Sequence, residues 1–280
     1  MKVVILGGTG QMGRCLSAEM TNRGYEVVSV GRSSRPSVDC SEPDGVRRFL
    51  DSQNSDVVVH LAAMTSLEQC EEDPERAWRL HCLGVDAAAE WCTTRGRVLV
   101  HLSSDALFSG DSDWYRETDE VEPLNVYART KFLGEREVLA RGGTVVRTNF
   151  IGPGVTSLIA SLARRLRGEE VVTGYVDCVF TPLHVADCAQ AIIQLVEDPV
   201  PGLLHIGSAV PVSKFEIARS VCALVGRGSV VPGSLPQVPI RRPKSTCLHS
   251  ERARQLIDIP DRGWECAVRE IVLHLEGDGE

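Results

Sequence analysis

Tyr127 and Lys131 lie four residues apart in the segment NVYARTKFLGE, which runs from Asn125 to Glu135. In a helix, that spacing places two side chains on the same face. A phenol titrates at about pH 10 and exchanges protons poorly near neutrality unless its anion is stabilised. A compact ammonium group nearby lowers the pKa of a phenol, and lysine offers freely rotating donors where arginine offers a rigid planar fork. The pair therefore predicts a proton-donating tyrosine whose pKa is lowered by Lys131. The alternative is an exposed tyrosine beside a solvated lysine.

A serine pair closes an apolar run in RVLVHLSSDALFSG, residues 97–110. In doubly wound parallel sheets, ligands bind beyond the carboxyl ends of the strands. The hydroxyl of Ser104 would lie there and could polarise a substrate carbonyl through a hydrogen bond. Serines also commonly end strands, so the catalytic interpretation of Ser104 depends on Tyr127 and Lys131.

A glycine turn follows the first apolar run directly, in VVILGGTGQMG, residues 3–13. Gly7, Gly10 and Gly13 form a G-x-x-G-x-x-G pattern between a predicted strand and a predicted helix. Residues without a Cβ let backbone N–H groups approach a pyrophosphate at the start of a helix. The position of the turn predicts a dinucleotide site, in which Lys131 could also hold the nicotinamide ribose. The alternative is a purely structural turn.

The second strand ends in VSVGRSSRPSVDC, residues 28–40, where an NAD-preferring site usually carries a carboxylate for the ribose 2′-hydroxyl. This chain has Gly31, Arg32 and Arg35 instead. Guanidinium groups hold a 2′-phosphate through charge-assisted hydrogen bonds. The segment favours NADP(H), with NAD(H) possible, and the alternative is that the arginines are solvated surface residues.

Short β-branched runs alternate with amphipathic ones, which predicts an α/β fold: a doubly wound parallel sheet (Rossmann fold) with a smaller C-terminal substrate-binding lobe. The dinucleotide-binding domain is predicted over residues 1–147 and 179–206, and the lobe over 148–178 and 207–280. The predicted strands are Lys2–Leu6, Glu26–Val30, Asp56–Leu61, Arg97–Leu102, Thr144–Arg147 and Leu203–Ile206. The predicted helices are Met12–Arg23, Asp44–Gln53, Pro74–Thr93, Tyr127–Arg141, Ser157–Arg167, Val185–Val196, Ser213–Val225 and Trp264–Leu275.

Composition excludes several classes of function. The 280-residue chain has a net charge of −8 and no basic stripe interleaved with aromatic residues, so nucleic acid is not an expected partner. No apolar run is long enough to span a bilayer, and we expect a cytoplasmic protein that does not enter membranes. The ten cysteines and seven histidines are scattered without metal-ligand spacing, so no metal site is predicted.

Together these residues resemble the extended short-chain dehydrogenase/reductases, and among them the dTDP-4-dehydrorhamnose reductase family. The resemblance covers nearly the whole chain, and its most specific part is ETDEVEPLNVYARTKFLGE, residues 117–135. Other matching segments are GGTGQMG, VDCSEPDGVRRFLDSQNSDVVVHLAAMTSLEQCEEDPERAW, SSDALFSG, RRPKSTCLHSERARQL and WECAVREIV.

The resemblance implies a role for each matching residue. Tyr127 would be the proton donor, Lys131 its partner, and Ser104 would stand in place of a catalytic threonine. The residues implied at the pyrophosphate are Gly7, Gly10, Gln11, Met12 and Gly13. Asp39 would face adenine, Ala62 and Ala63 would pass under the cofactor, and Thr65, Asp105 and Phe150 would lie towards the sugar. The family's reaction is NADPH-dependent reduction of a 4-keto group on a nucleotide-linked 6-deoxysugar, and a homodimer is possible.

Several substrate-side positions depart from the family pattern. Ala106 stands where the family has tyrosine, and His81 where many members have asparagine. Asn149 and Phe150 replace a common Ser-Trp pair. These departures predict that the reaction type is kept while the sugar differs, so a related keto-sugar fits as well as the rhamnose precursor.

Three other functions remain open. A sugar-nucleotide dehydratase is disfavoured, because its relatives carry Asp-Glu where this chain has Asp105 and Ala106. A 4-epimerase would keep Tyr127 and Lys131 but hold its dinucleotide permanently, so a copurified cofactor would reveal it. A non-catalytic NADP-binding regulatory subunit would bind the cofactor, turn over no keto-sugar and associate with another protein.

Overall fold

A computed structural model of the chain describes residues 1–153 and 157–277. Residues 154–156 and 278–280, which fall within the predicted lobe, lie outside the described residues. The strands are β1 (Lys2–Leu6), β2 (Glu26–Val30), β3 (Val57–His60), β4 (Val98–Leu102), β5 (Trp114–Tyr115), β6 (Thr144–Thr148), β7 (Phe150–Ile151), β8 (Val171–Tyr175), β9 (Val179–Phe180), β10 (Leu183–His184), β11 (Gly202–Ile206), β12 (Val212–Ser213), β13 (Ser229–Gly233) and β14 (Cys247–Leu248). The helices are α1 (Gln11–Asn22), α2 (Pro43–Gln53), α3 (Leu67–Glu72), α4 (Pro74–Trp78), a π-helical segment (Arg79–Leu83), α5 (Gly84–Thr94), α6 (Val126–Ala140), α7 (Leu158–Arg167), α8 (Val185–Glu197), α9 (Lys214–Val225), α10 (Glu251–Leu256) and α11 (Trp264–Gly277).

The six predicted strands pair in one parallel sheet of order β11-β6-β4-β3-β1-β2. Alternate residues of its strands point to opposite faces and build two separate cores. One core packs against α1 and α8, and the other against α2, α5 and α6. Helices on both faces of a parallel sheet make a doubly wound α/β fold, so the predicted fold class is confirmed.

The stretch predicted as one helix over Pro74–Thr93 is helical throughout, but it is not all α-helix, because the π-helical segment lies between α4 and α5. A Cβ added to Gly84 would lie 1.8 Å from the Cys40 carbonyl oxygen, and one added to Gly134 would lie 2.0 Å from the His81 carbonyl oxygen. The two glycines let the widened turn pack closely against the loop after β2 and against α6. Helical periodicity does not reveal one extra residue in a turn, so the sequence pattern could not locate this segment.

A third core lies among α7, α9, α11 and the short strands β8, β9 and β12. Its members include Ile159, Phe180, Ile217, Val268 and Ile271, all buried. Apart from Phe180, which falls in the range predicted for the dinucleotide-binding domain, this core belongs to the stretch predicted as a substrate-binding lobe. The boundaries of that lobe stay a prediction.

Candidate active site

Helix α6 presents Tyr127 and Lys131 at the edge of the sheet where β4 ends. The helix begins after Asn125, whose side-chain oxygen accepts a hydrogen bond from the Ala128 N–H at 2.9 Å. Lys131, one turn further on, is only 1 % exposed. Its Nζ donates to the Leu102 carbonyl oxygen at 2.7 Å and lies 3.2 Å from His101 Nε2. Burial lowers the pKa of Lys131 to about 8, although the negative charge of Glu135 acts to raise it.

Tyr127 is partly buried. Burial raises the pKa of the Tyr127 phenol to about 12, and a hydrogen bond with the neighbouring Ser104 side chain acts in the opposite direction. Tyr127 and Ser104 are therefore neighbours at the carboxyl end of β4, and their catalytic roles stay predictions. The ammonium of Lys131 is engaged by Leu102 and His101, and the lowering of the phenol's pKa by Lys131 stays a prediction.

Asp105 lies behind Ser104 and is 3 % exposed. Its Oδ2 accepts hydrogen bonds from Asn149 Nδ2 at 2.9 Å and from Thr246 Oγ1 at 2.6 Å. Ser104 Oγ lies 3.2 Å from Asp105 Oδ1. Burial raises the pKa of Asp105 despite these hydrogen bonds. Both carboxyl oxygens have protein partners, and a sugar contact by Asp105 stays a prediction.

Three buried histidines surround the lysine, and the motifs gave them no part in catalysis. His60 and His101 pair across β3 and β4, and their rings meet edge to face at 5.2 Å. His81 Nε2 accepts from the Met64 N–H, its Nδ1 bonds Thr130 Oγ1 at 2.8 Å, and its ring packs at 89° to that of Tyr127. Burial lowers the pKa of His60 to about 3 and that of His81 to about 2, so both rings are neutral. The sequence feature that could have indicated these histidines is that His60 and His101 each end an apolar run.

The glycine turn fits a dinucleotide. Gly10 is the N-cap of α1, and no side chain caps the first N–H groups of that helix. A Cβ on Gly13 would lie 2.5 Å from the Gly8 Cα, so the glycine allows α1 to begin against the turn. A cavity of about 370 Å³ beside this helix start is lined by Gln11 and Arg14. Uncapped N–H groups at a helix start bind phosphate oxygens, which is the chemistry of a pyrophosphate site.

The other predicted residues on the cofactor and sugar sides occupy the same edge of the sheet. Ala62 and Ala63 follow β3, and the Ala62 backbone packs against Gly7, where a Cβ would lie 2.5 Å from the Ala62 nitrogen. Thr65 is exposed, whereas Phe150 packs partly against the core that also contains Met12. Their contacts with cofactor and sugar stay predictions.

Arg32 and Asp39 lie at the far end of the predicted cofactor site. Burial acts to raise the pKa of Asp39, but hydrogen bonds from the Ser41 N–H and hydroxyl, with the charges of Arg32 and Arg76, hold it below its usual value. Arg32 is exposed. The arginine is thus free to meet a 2′-phosphate, and its role there stays a prediction.

Across 1–153 and 157–277, no group of three or more His, Cys, Asp or Glu converges as a metal site would. Within those same ranges, no helix combines the length and apolar character needed to cross a bilayer.

A family model described as the RmlD substrate binding domain matches residues 1–276. The chain belongs to this family. It is 33% identical over 287 residues to a dTDP-4-dehydrorhamnose reductase of Mycolicibacterium smegmatis, covering 99% of this chain and 86% of that protein. It is 28% identical to the spore coat polysaccharide biosynthesis protein SpsK of Bacillus subtilis, covering 96% of each. The crystal structure of a dTDP-4-dehydrorhamnose reductase of Clostridium acetobutylicum matches with a TM-score of 0.90 and 25% identity, over 99% of this chain and 100% of that one.

Proposed function

We propose that the protein reduces a keto group on a nucleotide-linked 6-deoxysugar, with NADPH as the preferred hydride donor. The observation that carries the proposal is the convergence of Tyr127 and Ser104 at the carboxyl end of β4, with Lys131 buried beside them. The glycine turn and the uncapped start of α1 lie at the same edge of the sheet. Family membership supports the same reaction, because relatives over nearly the full chain are named dTDP-4-dehydrorhamnose reductases.

The residues divide the chemistry of carbonyl reduction among them. When bound, a reduced nicotinamide would supply the hydride for the carbonyl carbon. Ser104 donates a hydrogen bond to the carbonyl oxygen, and Tyr127 gives that oxygen its proton. The phenol that loses its proton carries a negative charge in a buried site, and the Lys131 ammonium on the same helix face stabilises that charge.

The cofactor proposal rests on the residues at both ends of the site. The start of α1 and its glycines would hold the pyrophosphate, and Lys131 would hold the nicotinamide ribose. Arg32 would bind the 2′-phosphate, and Asp39 would face adenine. A relative of the same fold from Bacillus anthracis, 23% identical, is described in complex with NADP, and the MoeE5 enzyme, 25% identical, is described with UDP-glucose and NAD. NAD(H) therefore remains a second cofactor to measure.

The substrate proposal is a dTDP-linked 4-keto-6-deoxysugar, after the names of the relatives. Ala106 leaves less side chain at the end of β4 than the tyrosine of the family pattern, and Asn149 is engaged by Asp105. We expect this change to alter the preferred sugar while the reaction is kept. The protein would act as a soluble cytoplasmic enzyme. A homodimer is possible, and light scattering would measure the oligomeric state.

The test is a panel of nucleotide-linked 4-keto-6-deoxysugars with the wild-type protein, followed by the loss of NADPH absorbance. At least one dTDP-linked member should oxidise NADPH and yield the corresponding alcohol, with NADH less effective. NADPH binding with no oxidation by any member would contradict the proposal and favour a regulatory subunit. A dinucleotide that copurifies and does not exchange would instead favour an epimerase.

A further inference from the structure

Asp105 is a buried carboxyl whose hydrogen-bond partners are all neutral. Two donors converge on Oδ2, the amide of Asn149 at 2.9 Å and the hydroxyl of Thr246 at 2.6 Å. The other oxygen, Oδ1, faces Ser104 Oγ at 3.2 Å. Oδ2 thus accepts two hydrogen bonds, so a proton on this carboxyl would be bonded to Oδ1. Either Asp105 Oδ1 or the Ser104 hydroxyl could then donate the hydrogen bond between them.

The direction of that contact decides what the Ser104 hydroxyl can do. Ser104 Oγ already accepts a hydrogen bond from the Ala106 N–H at 3.1 Å. An ionised Asp105 would take the one proton of Ser104, which would turn it away from Tyr127. A protonated Asp105 would instead donate to the second lone pair of Ser104. Both lone pairs of the hydroxyl would then be occupied, and its proton would be directed towards Tyr127 and the substrate.

We propose that Asp105 is a positioning residue that carries a proton on Oδ1, donates it to Ser104, and so aims the Ser104 hydroxyl at the reacting carbonyl. The proposal deepens the reductase function and rests on it. No proton leaves Asp105 during the reaction, because the carboxyl acts only as a hydrogen-bond donor. Asn149 and Thr246, which come from two other parts of the chain, fix the orientation of the Asp105 carboxyl group.

Burial among neutral partners disfavours the charged form of Asp105. Burial raises its pKa, and the hydrogen bonds from Thr246 and Asn149, together with the contact to Ser104, act against the rise without reversing it. The titratable groups that respond to its charge are Tyr127 on α6 and the buried thiols of Cys178 and Cys247. Each of these groups is neutral at pH 7, since burial raises the pKa of all three. None supplies the positive charge that would hold a carboxylate ionised.

Asp105→Asn tests the direction of the hydrogen bond. The donors Asn149 and Thr246 require the amide oxygen at the Oδ2 position, which leaves the new NH₂ group facing Ser104. The variant therefore keeps a permanent donor to Ser104. We expect the ratio of variant to wild-type kcat to rise with pH through the Asp105 pKa, with KM for the sugar little changed. A ratio that is flat with pH, or a loss confined to KM, would overturn the proposal.

Thr246→Val is a second variant of nearly the same shape that removes one donor to Oδ2 and leaves Ser104 in place. Hydrogen bonds to a carboxylate favour its charged form, so removing one raises the Asp105 pKa further. The fall in wild-type kcat caused by Asp105 ionisation should move to higher pH in this variant. A purely structural role would lower kcat without moving the profile, and that result would also contradict the proposal.

The free energy of unfolding reports the protonation of Asp105 without any measurement of turnover. The folded pKa of Asp105 lies above its ordinary value of 3.8. Its proton therefore stabilises the fold at low pH, and this stability is lost as pH rises through the folded pKa. The stability of the wild type relative to Asp105→Asn should decline over that range in denaturant titrations. A constant difference would show an ionised Asp105 and overturn the proposal, whereas failure of every keto-sugar would overturn the reductase function alone.

Discussion

Asp39 and Asp105 are the same side chain at the two ends of the proposed site, and their pKa values move in opposite directions. At Asp105, which is almost fully buried among neutral donors, burial raises the pKa. At Asp39, burial acts in the same direction, but Ser41 and the charges of Arg32 and Arg76 outweigh it and the pKa falls. The catalytic end is thus built from buried groups shifted towards their neutral forms. The proposed adenine end holds charged groups that are exposed or only partly buried, and two of them, Arg32 and Arg76, lower the pKa of Asp39.

This difference indicates at which end of the site a substitution should have the larger effect. Inside the catalytic end each polar group has few alternatives to its present partner, because water cannot replace a lost hydrogen bond. At the adenine end solvent and salt screen every charge. Changes at the buried end should therefore be large, and changes at the exposed end should be small.

Lys131→Arg should produce the largest effect among these changes. The guanidinium keeps the positive charge, but its planar fork does not fit a fully buried position bonded to the Leu102 carbonyl and His101. We expect kcat to fall roughly 100-fold or more, within the range of lost acid–base assistance. Lys2→Arg, at a surface pair with Glu26, is the control and should leave kcat unchanged. Full activity in Lys131→Arg would show that charge alone suffices at the buried end.

The sequence predicted the sheet, the glycine turn and the helix that carries Tyr127 and Lys131, because each depends on local pattern. Apolar runs, a helix start at Asn125 and an i, i+4 spacing are all readable along the chain. The bonding of Asp105 to Thr246 joins residues 141 apart, and no local pattern carries such a contact. The π-helical segment and the neutral histidines around Lys131 were missed for the same reason, since tertiary packing determines both.

Glu135→Gln should destabilise the protein by roughly 3–5 kcal/mol, because it leaves a buried Arg147 without its counter-charge. The pair is held by Arg147 Nη2 at 2.7 Å and Nε at 3.0 Å, with the two side chains 3% and 0% exposed. Denaturant unfolding measures the change. Glu137→Gln on the same helix breaks a half-exposed pair with Arg141 and should cost less than about 1 kcal/mol. Equal losses in the two variants would contradict the contrast between buried and exposed charges.

Arg32→Asp should change cofactor preference by a smaller factor. A charge-assisted hydrogen bond contributes about 1.5–3 kcal/mol, which corresponds to a shift of roughly 10- to 100-fold in the NADPH to NADH ratio of kcat/KM. Arg23→Asp makes the same change of net charge at an exposed position after α1, and we expect little shift there. If both variants shift the ratio equally, general charge rather than a specific contact decides the preference.

The pH dependence should give the mildest effect, a gradual fall in turnover above pH 8. The folded pKa of Lys131 is about 8, so the ammonium is present below that pH and is lost above it. Between pH 8 and the ordinary lysine value of 10.5, the unfolded chain binds this proton more tightly than the folded chain. Unfolding free energy should therefore rise over that interval relative to Lys131→Met. A flat profile through pH 8 would place the Lys131 proton outside the reaction.

The most direct test of the account is NADPH oxidation by Tyr127→Phe with a dTDP-linked 4-keto-6-deoxysugar, beside NADPH binding measured by fluorescence. The substitution removes one hydroxyl and leaves the ring that packs against His81. Loss of the proton donor should lower kcat by roughly 100- to 10,000-fold with cofactor affinity almost unchanged. Turnover at the wild-type rate would show that another group protonates the carbonyl oxygen, and the proposed mechanism would be wrong.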